Sequence, residues 1–372
     1  MAKESMTSSG ATALNTSNYN SNRGRIQNFF FQEQEFLYWP ASARSNSGNT
    51  IFYKFYSTHM PNLWQGNSMS AIQNLMSKLQ SNFALKQLGE ISLFLSIQVL
   101  RQPACLFLTL QHYAEKLLQD SGFADCKAAP TPITPKANSN DNDNQPFSDP
   151  MLYRRLAGPL QYLSITRPDI AFTTNQICQH MHQPNVQNFQ ELKRLLRYIK
   201  GTSSFGLPIT TGDLTLKTYT EADWASDPSD RKSISGHCNY LCSNLISWSV
   251  KKQVTFTKSS TEAEYRALSA ATFDVVWLRR LIVDFDLAQS TPTTIHCDNT
   301  SAIALAKNPI FHARTKHIEI DYQFIRQHLN SSKISITHIP STAQITDILT
   351  KSFLPARFHD LRRKLTIQKL ND

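Results

Sequence analysis

The chain has 372 residues, with 38 Lys plus Arg against 28 Asp plus Glu, a formal net charge of +10 and 6 Cys. That length accommodates about two or three domains with their own cores, and the basic balance favours a polyanion such as nucleic acid as partner. The cysteines are scattered without a Cys-x-x-Cys pair, which argues against a disulfide scaffold or a zinc ribbon and for a soluble, reduced intracellular protein. The greasiest run, Ile91 to Leu100, is broken by Ser92, Ser96 and Gln98, so it falls short of the roughly 18 apolar residues of a membrane helix.

Met1 to Arg25 is rich in Ser, Thr and Asn with Glu4 as its one acidic residue, a composition shared by organellar transit peptides and disordered leaders. No sustained periodicity follows until about Ser68. Ile72, Leu75, Met76 and Leu79 then recur at helical spacing, and Ile91, Leu93, Leu95, Ile97 and Val99 alternate as in a half-buried strand. A second strand, Leu106 to Leu110, leads into a helix through Tyr113, Leu117 and Leu118 that Gly122 ends. Pro130, Pro132, Pro135 and the polar tract Asn138 to Gln145 read as a linker. Helical patterning resumes at about Pro150. In its last stretch, Glu191 to Lys200, Leu192, Leu195, Leu196 and Ile199 form one face and Lys193, Arg197 and Lys200 another. The basic face suits either nucleic-acid phosphates or plain solvation.

Beyond Gly201 strands precede helices. Leu214 to Tyr219, His237 to Cys242 and Leu245 to Ser249 read as strands, with Val254 to Thr257 extending or following the third. A long helix from Thr261 to about Asp284, a strand from Thr294 to Cys297, a helix from about Thr315 to Leu329 and a strand from Ile334 to Ile339 follow. This order predicts an α/β fold with a mixed sheet covered on both faces. Four acidic residues fall at strand ends or helix starts: Glu221, Glu264, Asp298 and Asp347. Gathered at one end of a sheet, such carboxylates hold two Mg²⁺ ions about 4 Å apart for phosphodiester hydrolysis, with Mn²⁺ as the substitute. Each also has a purely structural reading, since Thr261 with Glu264 fits a capping box and Asp298 and Asp347 are placed to cap the helices after them.

The segments Ser259-Ser260-Thr261-Glu262-Ala263-Glu264-Tyr265-Arg266-Ala267, Cys297-Asp298-Asn299, Arg314-Thr315-Lys316-His317-Ile318-Glu319 and Asp347-Ile348-Leu349-Thr350-Lys351 resemble the ribonuclease H domain of copia-type retrotransposon Pol polyproteins. Asp223-Trp224-Ala225, Arg231-Lys232-Ser233, Ser235-Gly236 and Ile246-Ser247-Trp248-Ser249 are similar in the same order. Upstream, Leu88-Gly89-Glu90, Tyr153-Arg154-Arg155-Leu156, Gly158-Pro159-Leu160-Gln161-Tyr162-Leu163, Thr166-Arg167-Pro168-Asp169-Ile170 and Arg197-Tyr198-Ile199-Lys200-Gly201-Thr202 resemble the end of the polymerase and its connection to ribonuclease H. The resemblance implies a ribonuclease H-like mixed five-stranded sheet, Glu264, Asp298 and Asp347 as metal-binding carboxylates, and an RNA/DNA hybrid as substrate.

Two departures qualify it. The family pattern places a metal-bridging Asp where this chain has Glu221, and the extra methylene moves the carboxylate by roughly 1.5 Å when catalytic groups need placement within about 0.5 Å. Asp223 lies about 6.6 Å further along the strand and substitutes poorly. The polymerase palm of the family needs a Tyr-X-Asp-Asp turn shortly before Leu88-Gly89, whereas the first aspartate of the chain is Asp120. The expected layout is therefore an unassigned leader over 1–68, a partial reverse transcriptase α/β unit over 69–126, a linker over 127–150, a helical connection over 151–205 and a ribonuclease H-like domain over 206–365. The expected function is impaired hydrolysis of the RNA strand of a hybrid without polymerase activity. The alternative is a retroelement relic that only binds nucleic acid.

Overall fold

The structure is a computed structural model and describes residues 77–78, 81, 91–135 and 144–370, apart from 228, 286 and 309–317. The expected leader, most of the helix through Ile72, most of the polar tract and the segment Arg314 to His317 lie outside the described residues.

The alternating run from Ile91 to Val99 is not one strand. Leu95 and Ser96 take positive φ values of 46° and 62°, the requirement of a two-residue primed turn, so Phe94 pairs with Ile97. The result is a hairpin of β1 (Leu93–Phe94) and β2 (Ile97–Arg101). β3 (Cys105–Thr109) follows and leads into α1 (Gln111–Asp120). Gly122 at φ +74° then reverses the chain while the Phe123 N–H bonds the Leu118 carbonyl.

Three helices make the connection. α2 (Pro150–Leu163) starts from Asp149, whose carboxylate accepts from the Leu152 N–H at 2.8 Å, with Pro150 in the first turn. α3 (Ala171–Gln179) and α4 (Val186–Gly201) follow, the latter capped reciprocally by Asn185 and Asn188. β4 (Phe205–Thr210) returns alongside β3, and β10 (Gln368–Lys369) pairs with β4 from the far end of the chain. The first sheet thus runs β1-β2-β3-β4-β10, antiparallel throughout.

The second sheet comprises β5 (Leu216–Asp223), β6 (Ile234–Leu241), β7 (Asn244–Lys252), β8 (Thr293–Cys297) and β9 (Ile334–His338). Its order is β7-β6-β5-β8-β9, antiparallel among β5, β6 and β7 and parallel from β5 to β8 and β8 to β9. This is the ribonuclease H-like mixed sheet. Val254 to Thr257 adds no strand: β6 begins at Ile234 opposite Lys252, and the Gln253 N–H to Ser233 carbonyl bond is the last rung.

Helices α5 (Ser260–Asp284), α6 (Thr300–Lys307) and α7 (Glu319–Asn330) cover one face, burying Tyr265, Leu268, Val275 and Ile325 against Leu216, Ile295 and Ile336. The connection helices and α8 (Pro355–Lys364) share a second core with the other face, through Cys238, Tyr240 and Leu245. At the heart of that junction Arg167, 1% exposed, pairs with Asp169 at 2.8 Å, while Tyr198 donates to the same carboxylate at 2.7 Å. No helix among the described residues is long and apolar enough to cross a membrane.

Candidate active site

Three of the four acidic residues, Glu264, Asp298 and Asp347, are released from the capping role that competed for them. α5 is capped by Ser259, whose hydroxyl accepts from the Glu262 N–H, while Glu262 accepts from the Lys258 N–H at 2.9 Å. The N-cap is therefore Ser259, two residues earlier than Thr261, and Glu264 is left to point into the protein. α6 is capped by Asn299 and not by Asp298. Asp347 lies inside a 3₁₀ turn, Ile345–Leu349, whose cap is Gln344.

The freed carboxylates converge at one end of the second sheet. Glu221 sits on β5, buried to 2% exposure. Its carboxylate accepts from the Thr350 hydroxyl and lies 2.9 Å from Lys351 Nζ. The same ammonium is 2.9 Å from Asp347 Oδ1, and Arg357 approaches Asp347 at 3.7 Å. Ligand atoms of Glu264, Cys297 and Asp298 lie within 4.8 Å of one another. Glu221 and Glu264 feel each other's charge, which joins the two halves of the cluster.

A glycine makes this approach possible. Gly236 on β6 faces Glu221 directly across the ladder. A Cβ there would meet Thr350 Cγ2 at 2.9 Å and Leu349 Cβ and Thr346 Cγ2 at 3.1 Å, so the turn carrying Asp347 rests on the bare backbone of β6.

The electrostatics follow from burial and crowding. Burial pushes the Glu264 carboxyl up, and the charges of Glu221 and Asp298 push it further. Burial raises Glu221 as well, opposed by Lys351 and the Thr350 hydrogen bond. Burial alone would lower Lys351, but Glu221 and the bond to Asp347 overturn that and hold it cationic. Asp223 is raised by burial, against the pull of Lys351. The cluster thus holds more carboxylates than one ammonium balances, and its donors are hard oxygens, the set that Mg²⁺ or Mn²⁺ prefers. Burial drives the Cys297 thiol to about 12, so it stays a neutral neighbour rather than a thiolate ligand.

Lys351 and Thr350 were visible in the sequence as part of a motif, but nothing assigned them a place. Their signal was the spacing of Lys351 four residues after Asp347. The basic face on α4 is partly spent inside the molecule: Arg197 donates to the Lys127 carbonyl at 2.8 Å and Lys193 lies 5.1 Å from the Phe189 ring centre, leaving Lys200 exposed.

A family model described as reverse transcriptase (RNA-dependent DNA polymerase) matches residues 37–135. The retrovirus-related Pol polyprotein from transposon RE1 of Arabidopsis thaliana is 36% identical over 306 residues, 82% of this chain and 21% of that protein. The chain belongs to the copia-type retrotransposon Pol polyproteins. It spans about a fifth of the length of the Arabidopsis Pol polyproteins it matches. An uncharacterized mitochondrial protein of A. thaliana, AtMg00810, is 42% identical over 216 residues, 58% of this Pol segment and 90% of that protein. Among solved structures, LC11 ribonuclease H1 in complex with an RNA/DNA hybrid is 15% identical, covering 37% of this chain and 94% of its own, with a TM-score of 0.28.

Proposed function

We propose that this Pol segment is a metal-dependent ribonuclease H-like module that hydrolyses the RNA strand of an RNA/DNA hybrid, with activity reduced by Glu221. The observation that carries the reading is the crowding of buried Glu221, Glu264 and Asp347, linked through Lys351 and mutual charge, with half-buried Asp298 beside Glu264. Glu264, Asp298 and Asp347, with Glu221, would hold two divalent cations. When bound, such ions lower the pKa of a coordinated water and stabilise the oxygen leaving phosphorus.

The residues of this chain set the rest. Burial of Glu221, Glu264 and Asp347 excludes bulk water from all but the mouth of the site. Lys351 neutralises Glu221 and Asp347 when no other cation is present, which keeps three buried carboxylates from repelling one another apart. Polymerisation is outside the proposal, since no aspartate precedes Asp120.

A second reading, a relic that binds nucleic acid without cutting it, draws on the hold of Lys351 and Thr350 on Glu221, which competes with a metal for that carboxylate. Cleavage of a hybrid labelled in its RNA strand, in Mg²⁺ and in Mn²⁺, separates the two when native protein is compared with Glu264→Ala. Metal-dependent cleavage that Glu264→Ala abolishes supports the nuclease, and salt-sensitive binding without cleavage supports the relic.

A further inference from the structure

Beside the carboxylates the structure exposes an apolar patch that the proposed reaction leaves unexplained. Trp224, directly after Asp223, is 45% exposed, and Val254 and Phe256 in the loop after β7 are 80% and 64% exposed. The Trp224 ring and the loop that carries Phe256 are anchored. Trp224 Nε1 donates to the Thr257 carbonyl at 3.1 Å, and Ser233 ties the Ala225 N–H to the Thr257 hydroxyl. Arg266 reaches Thr255 and Glu262, anchoring the same loop to the first turns of α5, next to Glu264. The held Trp224 ring and an anchored loop that exposes Phe256 therefore border the site between β5 and α5.

Its charge is one-sided. The acidic residues of the neighbouring β5–β6 loop, Asp227 and Asp230, are occupied by Lys252, and Asp230 also by Lys232. Arg231, Lys251 and Lys258 are exposed and make no side-chain ion pair among the described residues. Exposed aromatic rings interleaved with unpaired cations match a nucleic-acid backbone, which offers apolar sugar faces between phosphates. An acidic protein surface would satisfy the cations but supplies no regular partner for the rings.

We propose that Trp224 and Phe256, with Arg231, Lys251 and Lys258, form the rim that grips the nucleic acid beside the carboxylates. The rings lie against sugars of the bound duplex, and the cations take its phosphates. This rests on the reading of the site as one that acts on an RNA/DNA hybrid.

The test is binding by full-length protein in EDTA, so that cleavage plays no part. Tryptophan emission is followed while an RNA/DNA hybrid is titrated in, with Trp224→Phe assigning the signal to Trp224. Affinity is measured for native protein, Trp224→Ala/Phe256→Ala and Lys251→Ala/Lys258→Ala at several salt concentrations, with circular dichroism to confirm folding. The expected results are quenching in native protein that Trp224→Phe removes, and a loss of about tenfold or more in affinity for the aromatic double variant. The lysine double variant should show a salt slope shallower by about two. A hybrid that binds without changing Trp224 emission, and equally to the aromatic variant, overturns the rim and leaves the proposed nuclease standing. Absence of hybrid binding by native protein overturns the hybrid reading itself. Emission that changes with protein concentration alone assigns the patch to a second copy of the chain and overturns the proposal.

Discussion

Lys351 Nζ lies 2.9 Å from Glu221 Oε1 while holding Asp347 at the same distance, so one ammonium bridges two carboxylates of the candidate metal site. On the proposed metal site, this bridge ties stability to metal binding. In Lys351→Met, Glu221 and Asp347 lose their shared cation. Metal-free protein should lose about 2–3 kcal/mol, less than a fully buried pair because Lys351 is partly exposed. Thermal unfolding with and without Mn²⁺ checks this: the variant should gain more from the metal than native protein does. Equal gains would show that Lys351 and the metal do not share these carboxylates.

The raised carboxyl of Glu264, with that of Glu221, gives metal-free protein a defined pH dependence. Their ordinary pKa is 4.5 and both are higher in the fold. Above pH 4.5 the unfolded chain releases these protons while the folded chain keeps them, so stability falls as pH rises through the folded values. Melting temperature in EDTA should decline from about pH 5 towards pH 9, and Glu264→Gln should flatten the decline. Saturating Mn²⁺ should reverse its sign, because the ion binds the deprotonated form. A decline unchanged in Glu264→Gln would assign it to other groups.

Gly236→Ala tests how the Asp347 turn is positioned. The new Cβ would press on Thr350, Leu349 and Thr346 within about 3 Å, and the turn must retreat by a few tenths of an ångström or more. The expected outcome is a stability loss of about 1–3 kcal/mol, together with weaker Mn²⁺ binding measured by calorimetry. Ser235→Ala, on the neighbouring residue of the same strand, should leave metal affinity unchanged. Matching metal affinity in Gly236→Ala and native protein would separate the turn from the site.

Much of this was legible in the sequence, and the failures have physical reasons. The α5 helix and the strands of the second sheet were readable because long periodic segments carry the strongest signal, and Gly122 marked the end of α1 correctly. The alternation over Ile91 to Val99 hid a hairpin because its turn uses Leu95 and Ser96 in left-handed conformations with no Asn-Gly or Gly to announce it. Val254 to Thr257 has strand-like composition, but its partner strand ends first. For the site, spacing alone favoured capping over metal binding for each carboxylate taken singly. Ser259, Asn299 and Gln344 take the capping positions, which removes that role from Glu264, Asp298 and Asp347 and depends on register at single-residue precision. The place of Lys351 between β5 and the Asp347 turn is a tertiary contact across 130 residues and has no local signature.

The buried Arg167–Asp169 pair ties the connection to the C-terminal helix, since Tyr198 bonds Asp169 and Arg362 donates to the Tyr198 hydroxyl at 3.1 Å. Asp169→Asn leaves the guanidinium buried without its counter-charge and should cost about 3–5 kcal/mol. Chemical denaturation reads the loss directly. A cost below about 1 kcal/mol would show that the pair is not what fastens α4 and α8 together.

The most direct test of the central claim is single-turnover cleavage of a hybrid labelled in its RNA strand, in Mn²⁺, by native protein, Glu221→Asp and Glu264→Gln, all verified as folded. Shortening Glu221 by one methylene withdraws its carboxylate from Lys351 and Thr350 and restores the shorter ligand that the resemblance implies. A recovery of about 2.7 kcal/mol of transition-state stabilisation corresponds to roughly a hundredfold in rate. The predicted order is Glu221→Asp fastest, native protein slower but above background, and Glu264→Gln at background. Cleavage by Glu264→Gln at the native rate, or background rates for both native protein and Glu221→Asp, would contradict the assignment of these carboxylates to a hybrid-cutting metal site.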